Sequence, residues 1–567
     1  MKRTAIFLLT GLFCAGILWA DYQAAAPSVT PLSNYVPAGP LLYLEAKDFA
    51  SLLADWNSSQ PKKHWVKSSN YEVFSRSRLF LRLAGSGDQF AAAAGLPPDM
   101  NFLSQVAGTR SAVALYDIGN LQFLYVTYLP AAKSMQTTLW QTRAKFEPRS
   151  AGGVDFYLRR DPESQKEVAF AVSGDYLLLA TREDLMAGAL QLMSGSQHRT
   201  VASEPWWSQS VDSARALGDL RMVLNLEKIV PSPYFRTYWV QQNITDLTQY
   251  AAAISDLFRS DQQYREERVL IRKAPPAAAP SADGLEAAAD LVRLAPDGAG
   301  LYEAKANPSA DSCLGLLETK LLAPHLGPAP ASQIAPQVQL TSGETGGGSD
   351  METRIDQPAV QRAFILQNTT ALKELLDKTQ LLASLQVQST ERDKARVFVR
   401  IHSAIVLAAA SDWDEASIQS ALAEFVRPGL TASRLGVTWQ KKSGYQELDG
   451  LWPLAASVRG KYLLVSDDPN LIAAMLSNFS RKSDVKPAVF VAGLNHSGER
   501  ANFARFSDVV DRPNLALSNV PGIEQPQFFS ENLASLSSTL AGVSTERITV
   551  RTEGERTLQT VTYEWLQ

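Results

Sequence analysis

The chain has 567 residues, 45% hydrophobic and 20% charged, and a formal net charge of −4 from 54 Lys+Arg against 58 Asp+Glu. These values argue against a disordered polyampholyte, a collagen-like chain, a multi-pass membrane protein and a disulfide-dense miniprotein. No broad basic field exists: the densest basic cluster, Lys62-Lys63-His64 with Lys67, is small, so no nucleic-acid partner is expected.

The N-terminus carries the clearest functional signal. Met1-Lys2-Arg3-Thr4 is short and basic, and Ala5 to Ala20 is an uncharged apolar run closed by Asp21. That order describes a secretory signal. The run is short for a spanning helix, which needs about 20 residues. Cleavage after Ala20 would put Leu18 at −3, a weak match to Ala-x-Ala, so residues 1–20 read as a signal peptide or an N-terminal membrane anchor. The bulky Phe13 before Cys14 argues against a lipid anchor there. Residues 21–36, with Pro27 and Pro31, read as a tether. The body is then expected in the periplasm or on the extracellular side, secreted or tethered to the inner membrane by residues 5–20.

A first α+β half is expected over 37–272. Strands are predicted at Ser111–Asp117 and Leu121–Leu129. A helix with Met135, Leu139 and Phe146 follows, then strands at Val154–Leu158, Val168–Val172 and Tyr176–Ala180. Thr181 with Asp184 resembles a capping box for the next helix. Tyr234 to Arg259 shows a helix-like apolar stripe. A Pro/Ala-rich linker spans 273–284.

The second α+β half is expected over 285–567, with a flexible Pro/Gly/Ser-rich insertion at 323–350. Pro358 to Gln388 reads as helical. Strands are predicted at Arg396–His402, Ala404–Ala410, Leu435–Gln440, Ala455–Val458 and Tyr462–Val465, with a helix carrying Ile418, Leu422 and Phe425. A hairpin turning at Glu553-Gly554-Glu555 closes the chain.

The halves echo each other. Val172 to Met193 aligns without gaps on Val458 to Phe479 with eight identities, Gly174, Tyr176 and Leu185 among them. Both segments place a strand before a helix with one apolar face: Leu185, Met186, Ala189, Leu190 and Met193, then Leu471, Ile472, Met475, Leu476 and Phe479. The fold class is α+β: two related halves from internal duplication, each a largely antiparallel sheet with packed helices.

The chemistry expected is sparse. No two of the five histidines lie within five residues, and no Cys-x-x-Cys or His-Glu-x-x-His occurs, so no metal or cofactor is expected. Without Cys14 only Cys313 remains, so no disulfide is expected, and its apolar run suggests a buried, inert thiol. Ser59-Gln-Pro-Lys62 and Ser483-Asp-Val-Lys486 have prolines that disfavour a Ser/Lys dyad. Asp412-Trp-Asp-Glu415 precedes a helix and reads as capping, through Ser411 or Asp412, rather than calcium binding. In the second copy of the repeat Ser466 or Asp467 is the expected cap. Gly85-Ser-Gly87 lacks a third glycine and is too weak for a dinucleotide site. Trp206-Trp207 is the one speculative binding feature, read first as a core anchor.

The export signal, the Pro-x-Gly strand start at Pro37, the Gly174-Asp-Tyr-Leu-Leu-Leu179 run, Glu204-Pro-Trp-Trp207 and the closing hairpin together resemble a domain-of-unknown-function family of exported bacterial envelope proteins. The resemblance implies an exported envelope protein and brings no catalytic residues. The function expected is a non-catalytic cell-envelope binding or scaffold module, with another envelope protein as its partner and membrane contact only through the N-terminal segment. The alternatives are a carrier of a lipid or hydrophobic ligand held between the halves, and an exported hydrolase whose site no local motif reveals.

Overall fold

The computed structural model describes residues 30–67, 71, 75–76, 78–232, 247–260, 262–274, 288–322, 369–393, 396–430, 438–449, 454–482, 488–496, 499 and 543–565. The expected signal peptide or anchor at 1–20, residues 21–29 of the expected tether, residues 234–246 and 358–368 of the two expected helices, the expected insertion at 323–350 and all but the first two residues of the expected linker lie outside the described residues.

Strands that are apolar on both faces need cover on both sides. The described residues meet that need with helices flanking one twenty-stranded antiparallel sheet, an α+β fold. The first ten strands are β1 (Leu42–Ala46), β2 (Arg110–Asp117), β3 (Gln122–Tyr128), β4 (Glu147–Ala151), β5 (Val154–Arg160), β6 (Glu167–Ser173), β7 (Tyr176–Ala180), β8 (Leu220–Asn225), β9 (Tyr250–Arg259) and β10 (Gln263–Arg272). The last ten are β11 (Leu301–Ala306), β12 (Thr379–Asp393), β13 (Arg396–Ala409), β14 (Thr438–Lys441), β15 (Gln446–Asp449), β16 (Leu454–Arg459), β17 (Tyr462–Ser466), β18 (Phe490–Asn495), β19 (Val543–Glu553) and β20 (Arg556–Trp565).

From one edge the sheet runs β4, β5, β6, β7, β3, β2, β1, β8, β9, β10. From the other edge it runs β14, β15, β16, β17, β13, β12, β11, β18, β19, β20. The two orders match strand for strand. They meet where β10 pairs with β20, in a ladder running from Gln263 opposite Glu564 to Ile271 opposite Arg556 and centred on Glu267 opposite Thr560. The tight turns between β6 and β7 and between β16 and β17 hold Gly174 and Gly460 at φ +54° and +57°. Glycine suits that left-handed conformation, and the two positions correspond in the sequence repeat.

Helices pack on both faces of the sheet. In the first ten strands, α1 (Phe49–Ser58), α2 (Gln60–Val66), α3 (Arg78–Ala94) and α4 (Met100–Val106) lie between β1 and β2 in the chain. Ala93, Phe102 and Val106 of α3 and α4 pack on Phe170 and Leu179. The opposite face carries α5 (Glu183–Met193) and α6 (Pro205–Ser213), whose Met186, Leu190 and Trp207 pack on Leu124, Val126 and Leu178. In the last ten strands, α7 (Ala310–Leu317), α8 (Thr370–Leu376) and α9 (Glu415–Leu430) share a core with Leu407 and Val465, and α10 (Pro469–Ser477) packs on Ala404 and Leu464. Each large side chain so buried contributes about 1.5–3 kcal/mol.

Several expectations are corrected. The last part of the expected tether is core: Leu32 and Val36 are fully buried, and Tyr35 meets Tyr176 edge-on at 5.3 Å. Tyr250–Arg259 is β9 rather than helix, because β8 and β10 pair with it on both sides. The helix expected to Gln388 ends at Leu376, and β12 follows. Arg396–Ala409 is one strand, not two. The helix expected around Met135 is a series of single turns, Ala131–Ser134, Thr138–Gln141 and Arg143–Lys145. Thr181 does not cap α5: its Oγ1 accepts from the Phe123 amide at 2.8 Å, and the Glu167 carboxylate accepts from the first α5 amide, that of Glu183, at 2.9 Å. Asp468 caps α10, one position beyond Asp467, and Asp414 caps α9, two positions beyond Asp412. Among the described residues no helix is long and apolar enough to cross a membrane.

Candidate functional site

The first ten strands hold a cavity of about 1050 Å³ under α3 and α4. Ligand cavities span about 300–1,000 Å³, so this one is large. Its floor follows from strand alternation. In β3, Leu124 and Val126 point to the α5 face, so Phe123 and Tyr125 point to the other. Leu44 of β1 stands opposite Val113 of β2, and both line the same space, with Leu179 of β7. Phe90, Phe102 and Leu103 supply the roof, and Phe49 at the start of α1 supplies one wall. The roof stands clear of the floor where α3 carries only small residues, since Ser86 and Gly87 line the cavity.

Polar groups at the inner end are satisfied. The Tyr125 hydroxyl donates to the Val106 carbonyl at 2.8 Å, tying the end of α4 to the floor. Burial pushes that hydroxyl up from its ordinary pKa. Ser111 and Thr127 share a 2.6 Å hydrogen bond, and Thr127 Oγ1 also accepts from the Gly108 amide at 3.1 Å. A Cβ at Gly108 would fall 2.2 Å from the Tyr128 carbonyl, so only glycine fits there.

The mouth is polar and built from two hairpin turns and the start of α5. Leu121 in the β2–β3 turn and Gln165 in the β5–β6 turn both sit at positive φ, +49° and +56°, and both line the cavity. For a bulky residue such as Leu this backbone is an outlier, and such strain concentrates at functional sites. Each turn is braced by an aspartate. Asp161 accepts from the Ser164 hydroxyl and amide at 2.6 and 2.7 Å, and these bonds hold its carboxyl below the usual range. Asp117 accepts from the Asn120 amide at 3.0 Å and from its side chain at 2.9 Å; burial works to raise its pKa, but these bonds keep the carboxyl low.

The mouth carboxylates are engaged. Glu167 pairs with Arg160, Asp184 with Arg182, and Glu183 lies 3.5 Å from Arg149. Arg182 also donates to the Gln122 side chain at 3.0 Å. Lys166 reaches across to Asn120, at 3.4 Å to its side-chain oxygen and 3.5 Å to its carbonyl. The walls are thus apolar and the rim charged, an arrangement that can hold an amphiphile.

Trp206 and Trp207 are on the other side of the sheet. Trp207 is buried and meets Tyr43 edge-on at 4.5 Å, while half-buried Trp206 donates to Glu204 at 3.0 Å. The structure does not bring them to the cavity. Gly85-Ser-Gly87 lies inside α3 and opens space beneath it. Cys313 is buried in α7, where burial pushes the thiol up to about 11. Asp414 holds the Ser417 amide at 2.8 Å, the capping role expected for this cluster, and among the described residues no group of three or more His, Cys, Asp or Glu could hold a metal.

In the last ten strands the bond made by Thr181 is repeated by Asp467, whose Oδ1 accepts from the Ser403 amide at 2.8 Å. Burial pushes the Asp467 carboxyl up to about 6, and His402 Nδ1 lies 3.8 Å away.

No family model matches the chain, and no curated protein matches it by sequence. Among solved structures, crystal form I of TP0453 aligns with a TM-score of 0.24 and 12% identity, over 44% of this chain and 82% of that one. Crystal form IV aligns with a TM-score of 0.23 and 11% identity, over 44% and 83%. Superpositions this loose carry no fold or function across.

Proposed function

We propose that this is an exported cell-envelope protein that binds an apolar ligand in the cavity of its first half. The observation that carries the reading is the apolar space of about 1050 Å³ between β1–β3 and α3–α4, opening through a charged rim. Water gains little in such a space, whereas an apolar chain buried there gains about 25 cal/mol per Å² removed from water. The ligand sits inside one half, not between the two, where β10 and β20 are joined directly by backbone pairing. A hydrolase reading is less well supported, because the carboxylates at the rim are taken up by Arg160, Arg182 and Arg149.

Export, to the periplasm or the extracellular side, rests on the basic start and the apolar run from Ala5 to Ala20. The likeness to exported domain-of-unknown-function envelope proteins belongs to the same proposal. So does duplication of an α+β half: the matching strand orders, the eight identities and the paired turn glycines support it. Another envelope protein would then receive or supply the ligand.

The test is to purify the full chain from the envelope of its own cells and extract it with organic solvent. Mass spectrometry should find a stoichiometric amphiphile. A variant with Gly87→Phe, which fills the space under α3, should come out empty yet folded. Equal lipid from both proteins would overturn the reading.

A further inference from the structure

Resting on that reading, we infer that the ligand is a long-chain amphiphile with an anionic head group, its chain under α3 and α4 and its head at Lys166. The charges at the rim lead to this. Each carboxylate that lines the cavity has a cationic partner: Glu167 has Arg160, Asp184 has Arg182, and Glu183 has Arg149. The Arg182 guanidinium is spent twice, on Asp184 and on the Gln122 side chain. Lys166 differs from these. Its ammonium makes no ion pair and hydrogen-bonds only to the neutral oxygens of Asn120, at 3.4 and 3.5 Å, beyond the 2.7–2.9 Å of a good charge-assisted bond, while the Asp117 carboxylate of the same turn feels it only through space.

The backbone fixes that ammonium at the opening. Lys166 follows Gln165, held at φ +56° by the Asp161 turn, and its contact Asn120 precedes Leu121, held at φ +49°. Both strained residues line the cavity, so the two turns present Lys166 at the boundary between apolar wall and solvent. A carboxylate or phosphate there would replace two long contacts to neutral oxygens with a direct ion pair. A neutral head would leave the ammonium as it is. Fatty-acid carboxylates and lysophospholipid phosphates share the required chemistry.

The experiment uses the full chain loaded with cis-parinaric acid, a fluorescent fatty acid. Oleate, oleoyl lysophosphatidate and oleyl alcohol then compete for it. On the native protein the two anions should bind at least about tenfold more tightly than the alcohol, equivalent to about 1.4 kcal/mol. In Lys166→Met that ratio should fall to within about twofold while the alcohol's own affinity holds. A preference between oleate and lysophosphatidate distinguishes carboxylate from phosphate. Equal competition by all three, or a ratio unmoved by Lys166→Met, would overturn the head-group inference and leave the cavity reading standing. If parinaric acid does not bind, or no competitor displaces it, the cavity reading falls with it.

Discussion

Arg221 and Asp256 offer the sharpest stability test of the sheet where β8 and β9 lead to the β10–β20 ladder. They face each other in register on β8 and β9. Arg221 Nε and Nη2 lie 2.8 Å from Asp256 Oδ1 and Oδ2, a bidentate pair, and the side chains are 11% and 4% exposed. Asp256 also accepts from the Gly218 amide at 2.9 Å, and Arg221 donates to the Ala216 carbonyl at 2.9 Å. Asp256→Ala leaves a buried guanidinium with that carbonyl as its remaining bond. Breaking a buried pair from one side costs about 3–5 kcal/mol. That is a large part of the roughly 5–15 kcal/mol that holds a typical domain folded. Replacing both partners, Arg221→Met with Asp256→Leu, removes the stranded charge and should recover most of the loss. Hydrogen exchange of the β8 and β9 amides, read beside urea denaturation, measures the opening energy where the change is made. A loss under about 1 kcal/mol in Asp256→Ala, or a double variant as unstable as the single one, would refute the reasoning.

Three further outcomes follow from the packing. Trp207→Ala should cost about 3–5 kcal/mol in denaturant melts and leave parinaric acid affinity unchanged, since Trp207 anchors the core face opposite the cavity. Gly87→Ala should raise thermal stability by about 0.5–1 kcal/mol, because the new Cβ meets Pro98 Cγ at an ordinary 3.6 Å and helices favour alanine; destabilisation would mean that α3 is not helical there. Burial raises Asp467 from its ordinary 3.8 to about 6, so its contribution to stability is full below about pH 4 and is lost as pH rises through 6. Asp467→Asn keeps the bond to the Ser403 amide and should flatten melting temperature between pH 4 and 7, gaining on the order of 2 kcal/mol at pH 7; an unchanged pH profile would contradict this.

Much of the fold was legible because local signals agreed with it. The strands β2, β3 and β5–β7, the helix α5 and the closing hairpin carry clean periodicity and turn residues, and they form where the sequence places them. The misread segments are those where sheet pairing overrides propensity. Tyr250–Arg259 is rich in alanine, yet Tyr250, Ala252, Ile254 and Asp256 alternate as buried positions, the period of a strand. His402 and Ser403 looked like a break in β13, but Asp467 takes up the Ser403 amide and the strand continues. In β12 an apolar run buried on both faces carries no period that tells strand from helix.

The cavity was not legible, because its walls come from positions between Leu44 and Leu220 that only the sheet brings together. Two signals did point toward it. Leu42 to Leu44 and Phe123 to Val126 are apolar on both faces, so something must cover each face. Gly85-Ser-Gly87 places small residues in a helix facing one of them.

The most direct test of the central claim is to find where an apolar chain lies in the protein. A fatty acid carrying a photoreactive diazirine near its methyl end would be bound to the full chain, irradiated, and the labelled peptides sequenced by mass spectrometry. The account predicts labels on the residues around Phe90, Phe102, Val113 and Leu179 that line the cavity. Labels confined to the Trp206–Trp207 side of the sheet, or spread over the exterior, would contradict it.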